Sequence, residues 1–385
     1  MSYLKNISLS AVTLMASASL FAGTDLDSRV RELEKQMKQV RIETSEKTFG
    51  ANAASARPSL EGQGFALSFD VFYWQMKSGG TEYCVTSRNS SQLNLNNKNG
   101  LNNNSFGKIL PLNGNLKEQD FSKWDWGFRV GAGYNFEHGD WDVYANYTYF
   151  TNDTSSLVTA PSLLAVGLTV LANSPDNSQD TDYSQALSFT KATSQYRFRF
   201  NRIDLELGTD FFVNRYLSLR PHVGLMTAWI TQKQSMQFTG GGINQNTVSA
   251  NRDNSYWGIG PRVGFNTKWR SCNGFGIIGN FSAGLPYGRF DIDFQQKFSL
   301  DPDTNFIKVN EDMHRFTPTA QMQLGFGYDT ALSCDTHHLS MFLAWDIQYW
   351  WRVSQNSTQY LLGITDRIGE DVSLQGVTYH IKWDF

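Results

Sequence analysis

From residue 64 onward, apolar and polar side chains alternate with a period of two, and the alternation recurs segment after segment. Successive side chains of an extended strand point to opposite faces, so each segment reads as a strand with one greasy and one wet side. Gly64 to Lys77 sets Phe65, Leu67, Phe69, Val71 and Tyr73 on one face. Trp124 to Phe136 does the same with Trp126, Phe128, Val130, Ala132, Tyr134 and Phe136, and opposes them with Arg129, Asn135 and Gly127, Gly131 and Gly133. Further segments follow at 141–151, about 195–212, 216–231, 255–269, 275 to about 294, 315–328 and 338–352. The final stretch places Val377, Tyr379, Ile381, Trp383 and Phe385 on one face, and the sequence ends on that aromatic ring.

The connections alternate in length. Short ones at 137–140, 214–215, 271–274 and near 334 separate long ones at 78–122, 152–194, 233–254, 297–313 and 353–372. A soluble β-sandwich explains the alternation but not this asymmetry, nor the Trp and Tyr near strand ends. A transmembrane antiparallel up-and-down β-barrel explains all three, with short turns on one side, long loops on the other and aromatic girdles at the interfaces. The expectation is an all-β barrel of about ten strands spanning 64–385. Residues 157–172 are the most apolar part of that region yet fall in an expected loop. They read as an extra hairpin, which makes twelve strands, or as a loop folded into the lumen or packed on the surface. Pro161 argues against one long central strand, which favours the loop.

Composition fits a barrel. Charged residues are 18% and aromatics 14%, against roughly 25% charge in average soluble domains. Mean hydropathy is -0.40, and no run approaches the roughly 18 apolar residues of a membrane-spanning helix. A net charge of -3 gives no electrostatic case for nucleic acid. Lys5 followed by the apolar stretch Ile7–Phe21 reads as a signal peptide, residues 1–22, cut after Ala22, with Ala18 as the alternative. Residues 23–48 carry a short heptad pattern, Leu26, Val30, Leu33, Met37 and Val40. That pattern suits an amphipathic helix at the barrel mouth or a homo-oligomer formed through 24–48. Residues 49–63, rich in Ala, Ser and Gly, read as a linker. An even strand count puts both termini on the periplasmic side.

Two blocks carry a family resemblance. Gly64–Gln75 (GFALSFDVFYWQ) and Trp126–Phe136 (WGFRVGAGYNF), together with Trp141–Phe150 and the heptad segment Asp25–Arg41, resemble the Legionella-type pore-forming major outer-membrane proteins. The MOMP-like proteins of chlamydia-like bacteria are related to these. The resemblance implies an abundant barrel of the cell outer membrane, embedded in its lipid, that passes small solutes. The terminal strand resembles the signal by which such chains reach the barrel-assembly machinery. True chlamydial relatives are cysteine-rich and cross-linked, whereas this chain has three cysteines, so a heavily cross-linked envelope role is not expected.

The same period assigns an interior face. Arg129, Asp142, Asn146, Arg202, Asp204, Glu206, Asp210, Arg220, His222, Arg262, Lys268, Gln321, Gln323, Asp346, Gln348, His380 and Lys382 all fall on it. Such residues either pair in a network that fills a narrow barrel or line a wet channel and set its selectivity. Ten or twelve strands make a narrow barrel, between the side-chain-filled eight-stranded and the open sixteen-stranded kinds. No phosphate loop, Cys-x-x-Cys or His-Glu-x-x-His occurs, so no cofactor or metal is expected and the chain reads as no enzyme. A rim hydrolase is the minor alternative, with His314 beside Glu311 and Asp312 as its best group. A surface adhesin or structural envelope protein is the other. Cys272 and Cys334 sit in turns two strands apart, about 10 Å, so a disulfide, which bridges roughly 7 Å, requires both turns to lean inward; free thiols or an intermolecular bridge are the alternatives. Cys84, opening an outer loop, reaches neither.

Overall fold

Why the alternation closes into a ring is visible in a computed structural model. It describes residues 64–87, 114–136, 141–165, 188–213, 216–240, 247–270, 274–298, 306–332, 337–359 and 365–384, all within one compact unit, Phe49–Phe385. The signal peptide, heptad helix and linker read from the sequence lie outside the described residues, as do Cys272, Cys334 and Phe385.

The strands are β1 (Gly64–Ser78), β2 (Cys84–Ser87), β3 (Gly114–Lys117), β4 (Trp124–Asn135), β5 (Trp141–Ala165), β6 (Ser188–Thr209), β7 (Phe211–Phe212) and β8 (Leu217–Thr239). They continue as β9 (Thr247–Arg270), β10 (Phe275–Gly284), β11 (Tyr287–Phe298), β12 (Phe306–Phe316), β13 (Thr319–Leu332), β14 (His337–Gln359) and β15 (Thr365–Asp384). All pair antiparallel. A ring of ten runs β1-β4-β5-β6-β8-β9-β10-β13-β14-β15 and returns to β1. The last strand closes on the first from Ala66↔Asp384 to Ser78↔Val372. β11 and β12 prolong β10 and β13 outward, past breaks at Leu285-Pro286 and Thr317-Pro318, where proline has no N–H to give the ladder.

The burial pattern is inverted relative to a soluble protein along the half of each strand nearest the short turns. Outward positions are apolar and exposed, as with Leu225 at 53% and Phe326 at 74%, while Arg220, Asp346 and Lys382 inside are fully buried. Lipid is the solvent that makes this arrangement favourable. Farther along, the phase reverses. In β8 the outward face changes from Leu225 and Trp229 to Lys233, Ser235 and Gln237, and the inward face becomes Ile230, Met236 and Phe238 with Gln232 and Gln234 between them. The switch coincides with apolar doublets, Tyr73-Trp74, Tyr149-Phe150, Trp229-Ile230, Tyr256-Trp257 and Trp350-Trp351. One member of each faces outward and the other is buried in the lumen. On β8 and β9 two doublets are direct partners, Trp229↔Trp257 and Ile230↔Tyr256. The outer ring marks the end of the apolar belt, as interfacial aromatics do.

Several expectations are corrected. The long connections are shorter than the sequence suggests. Strand covers 152–165, 188–194, 233–239, 247–254, 306–313, 353–359 and 365–372, because there the apolar residues face in and the membrane phase is lost. Residues 157–165 are neither a loop nor an extra hairpin but the end of β5, and Pro161 falls at a register shift between Thr159 and Leu163. Residues 166–172 lie outside the described residues. Cys84 is not in an open loop; it is buried in β2, which pairs with β3 and the tip of β5.

Candidate functional site

Inside the lipid-facing half, the side chains expected on the interior converge. Adjacent strands present their inward positions at the same level, and glycines make room for the largest. A Cβ on Gly133 would meet the Tyr144 ring at 2.2 Å, so only glycine lets that ring lie across β4.

Arg129 on β4 donates to Asp70 on β1 (2.9 Å) and lies 3.7 Å from Asp346 on β14. Arg202 on β6 pairs with Asp204 (2.8 Å) and reaches across the lumen to Gln348 (3.1 Å) and Gln321 (2.9 Å). Arg262 on β9 bridges Asp204 (3.1 Å) and Glu206 (2.9 Å). Arg220 on β8 pairs with Asp142 and with Glu206 (3.2 Å), while His222 lies 3.8 Å from Glu206. The amides of Gln321 and Gln323 donate to Asp346 (3.1 and 2.7 Å). Nearer the turns, Lys382 pairs with Asp384 (2.7 Å) and Lys268 with Asp329, and His380 meets Asp70. Asp210 is buried. Asn146, half-buried, lines the cavity at the centre of this group, which has a volume of about 80 Å³, room for a few waters.

The structure brings these interior positions together with Asp70, Asp329 and Asp384, which the sequence reading did not name. Those three sit on the same face by the same count of two, so the signal was present. Alternation did not show what lies above. A layer of rings and aliphatic side chains from β1, β5, β6, β8, β9, β11, β14 and β15 fills the lumen, including Phe72, Trp74, Phe150, Phe200, Tyr256 and Trp350. Phe72 stacks on Trp74 at 3.6 Å between centroids. A second apolar layer, from Tyr83 and Cys84 to Phe238 and Phe294, lies beyond it. His314, the rim-enzyme candidate, is exposed on β12 against Tyr287, and Asp312 beside it pairs with Arg289 (2.9 Å). Among the described residues no cluster of His, Cys, Asp and Glu is arranged to hold a metal ion.

A closed antiparallel ring, apolar outside and charged inside at one level, defines an integral outer-membrane β-barrel. The family described as the Legionella pneumophila major outer membrane protein precursor matches residues 57–385, and the chain belongs to it. No curated protein sequence matches the chain. Among solved structures it is similar to the outer membrane protease OmpT from Escherichia coli, at 8% identity over 83% of this chain and 97% of that one, with a TM-score of 0.39. It is also similar to a Pseudomonas aeruginosa FadL homologue, at 7% identity over 86% and 92% with a TM-score of 0.25. The Pseudomonas putida toluene transporter TodX follows, at 8% over 89% and 96% with a TM-score of 0.22. Likenesses this distant transfer none of those activities.

Proposed function

We propose that this barrel is a narrow diffusion channel for small polar or ionic solutes, rather than an enzyme. The supporting observation is the charged interior itself. Arginine and carboxylate side chains from around the ring meet at a polar cavity at the level of the lipid belt. Packed apolar groups would hold a purely structural barrel as well or better, since desolvating buried ion pairs offsets much of their attraction. On this reading Arg129, Arg202 and Arg262 face the passing solute and set its charge preference. The C-terminal positions Val377 to Phe385 deliver the chain to the assembly machinery, and the rim where Asp384 pairs with Ala66 is periplasmic. Residues 24–48 then join protomers or rest at that mouth.

Single-channel conductance of the refolded protein in a planar bilayer, with reversal potential under a salt gradient, tests this. Steady conductance whose selectivity moves toward cations on Arg129→Ala or Arg202→Ala supports the channel; a folded but silent barrel, together with silent gate variants as described below, overturns it. The prolonged strands support a second reading, display at the cell surface. If display is the function, shortening the outer connections removes surface adhesion and leaves conductance intact.

A further inference from the structure

An up-and-down ring does not require its chain to enter the lumen, yet among the described residues stretches of β14 and of the segment after β1 do so. β14 shifts register between Trp350 and Ser354, and Arg352 within the shift has φ of 52°, a left-handed conformation that non-glycine residues adopt only under constraint. The shift carries Val353 into the lumen, where it is wholly buried in the aromatic layer beside Trp350. Its carbonyl accepts from Asn254 on β9 (2.9 Å) and Gln232 on β8 (3.3 Å), three and four places from β14 round the ring. Asp371 on β15 fixes the kink by accepting from the Arg352 N–H (2.7 Å) and the Tyr349 hydroxyl (2.6 Å).

The second stretch is Gly79–Tyr83, which leaves the end of β1. The Thr81 carbonyl accepts from Gln234 (2.9 Å) and the Glu82 carbonyl from Arg252 (3.2 Å). These two are again on β8 and β9, and β9 stands five places from β1 in either direction round the ring. Gly80 makes the inward turn with φ of 71°. The two stretches are tied to each other: Ser354 donates to the Gly79 carbonyl (3.2 Å) and Asn356 to that of Gly80 (2.5 Å).

We propose that the Val353 bulge and Gly79–Tyr83 form one gate across the lumen, latched by Gln232, Gln234, Arg252 and Asn254. Its withdrawal connects the charged cavity to the outside. The proposal rests on the channel reading and adds its regulation. The geometry suits a movable part. Beyond the packing of Val353 and Tyr83, the gate is held to β8 and β9 by side-chain hydrogen bonds to its backbone carbonyls, which release singly, whereas the ring is held by continuous ladders. The strained Arg352 is already biased toward the extended backbone that would draw Val353 back toward the strand line.

Single-channel recording of the full-length wild type, Gln232→Ala/Asn254→Ala and Arg352→Gly tests it. Losing the latch should raise open probability several-fold. Arg352→Gly relieves the left-handed strain of the closed form alone, so it should lower open probability on the order of fivefold. Reversal potentials should not move, because the charged cavity is untouched. A wild type that is silent while the latch variant conducts also supports the gate. A conducting wild type with both variants opening just as it does overturns the gate and leaves the channel standing. Folded but silent proteins throughout overturn both. Should the double latch variant fail to fold, Gln232→Ala and Asn254→Ala made singly, each keeping one bond to the Val353 carbonyl, take its place with the same expected rise and the same overturning result.

Discussion

Arg220 is wholly buried and shared between Asp142 and Glu206. Arg220→Ala takes the guanidinium away from buried Asp142, while Glu206 keeps Arg262, and breaking a buried pair from one side costs about 3–5 kcal/mol. The expected result is a large fall in the urea midpoint of the refolded barrel, followed by tryptophan fluorescence. Cys84 shows burial acting on a neutral group. Desolvation pushes its thiol up to about 11, against which nearby Lys117 pulls only weakly. At pH 8 the folded thiol is therefore un-ionised, and only a thiolate reacts readily with iodoacetamide. In a Cys272→Ser/Cys334→Ser background, alkylation measured by mass should be slow in the folded barrel, where the thiol is also shielded from solvent, and fast in urea. Stability should fall as pH rises above the free-thiol value, because the unfolded chain ionises first.

Along a strand, the decisive event is the change of phase. β8 has 23 residues, roughly 75 Å at about 3.3 Å per residue, and with a tilt near 40° it rises roughly twice the ~25 Å of an apolar band. The rest must therefore face water outside, and it does. Leu225→Arg, within the belt, should cost about 2–4 kcal/mol if it lies near the bilayer midplane. Ser235→Arg, ten residues on and on the same outward face, should cost almost nothing. Unfolding midpoints in lipid vesicles compare the two directly, and equal effects would show that the belt does not end at Trp229. The kinks follow the same boundary. Leu285 donates to the Pro261 carbonyl (3.0 Å), Thr317 to Pro286 (2.9 Å) and Trp351 to Pro318 (3.0 Å), a line of breaks that ends at the bulge of β14.

For the barrel as a unit, closure is the stabilising act, because an open edge in hydrocarbon leaves a row of N–H and C=O groups unsatisfied. β15 pairs with both β14 and β1, so removing 377–385 strips the lower half of two ladders at once. The truncated chain is expected to show no heat-modifiable folded band on cold electrophoresis after refolding.

The linear chain fixed which residues face lipid and which face inward over the belt, the strand count and the antiparallel order, because lipid outside and polar groups inside impose a period of two that nothing local disturbs. Asp70 was within reach of the same counting. Gln232, Gln234, Arg252 and Asn254 were not, since their segments keep the period but reverse its phase, and a reversed strand with a polar outer face looks like a loop. Closure of the lumen was a matter for the tertiary structure alone. Val353 and Gly79–Tyr83 meet β8 and β9 only after the ring has brought distant parts of the sequence face to face, and hydrogen bonds to backbone carbonyls leave no signature in side-chain periodicity.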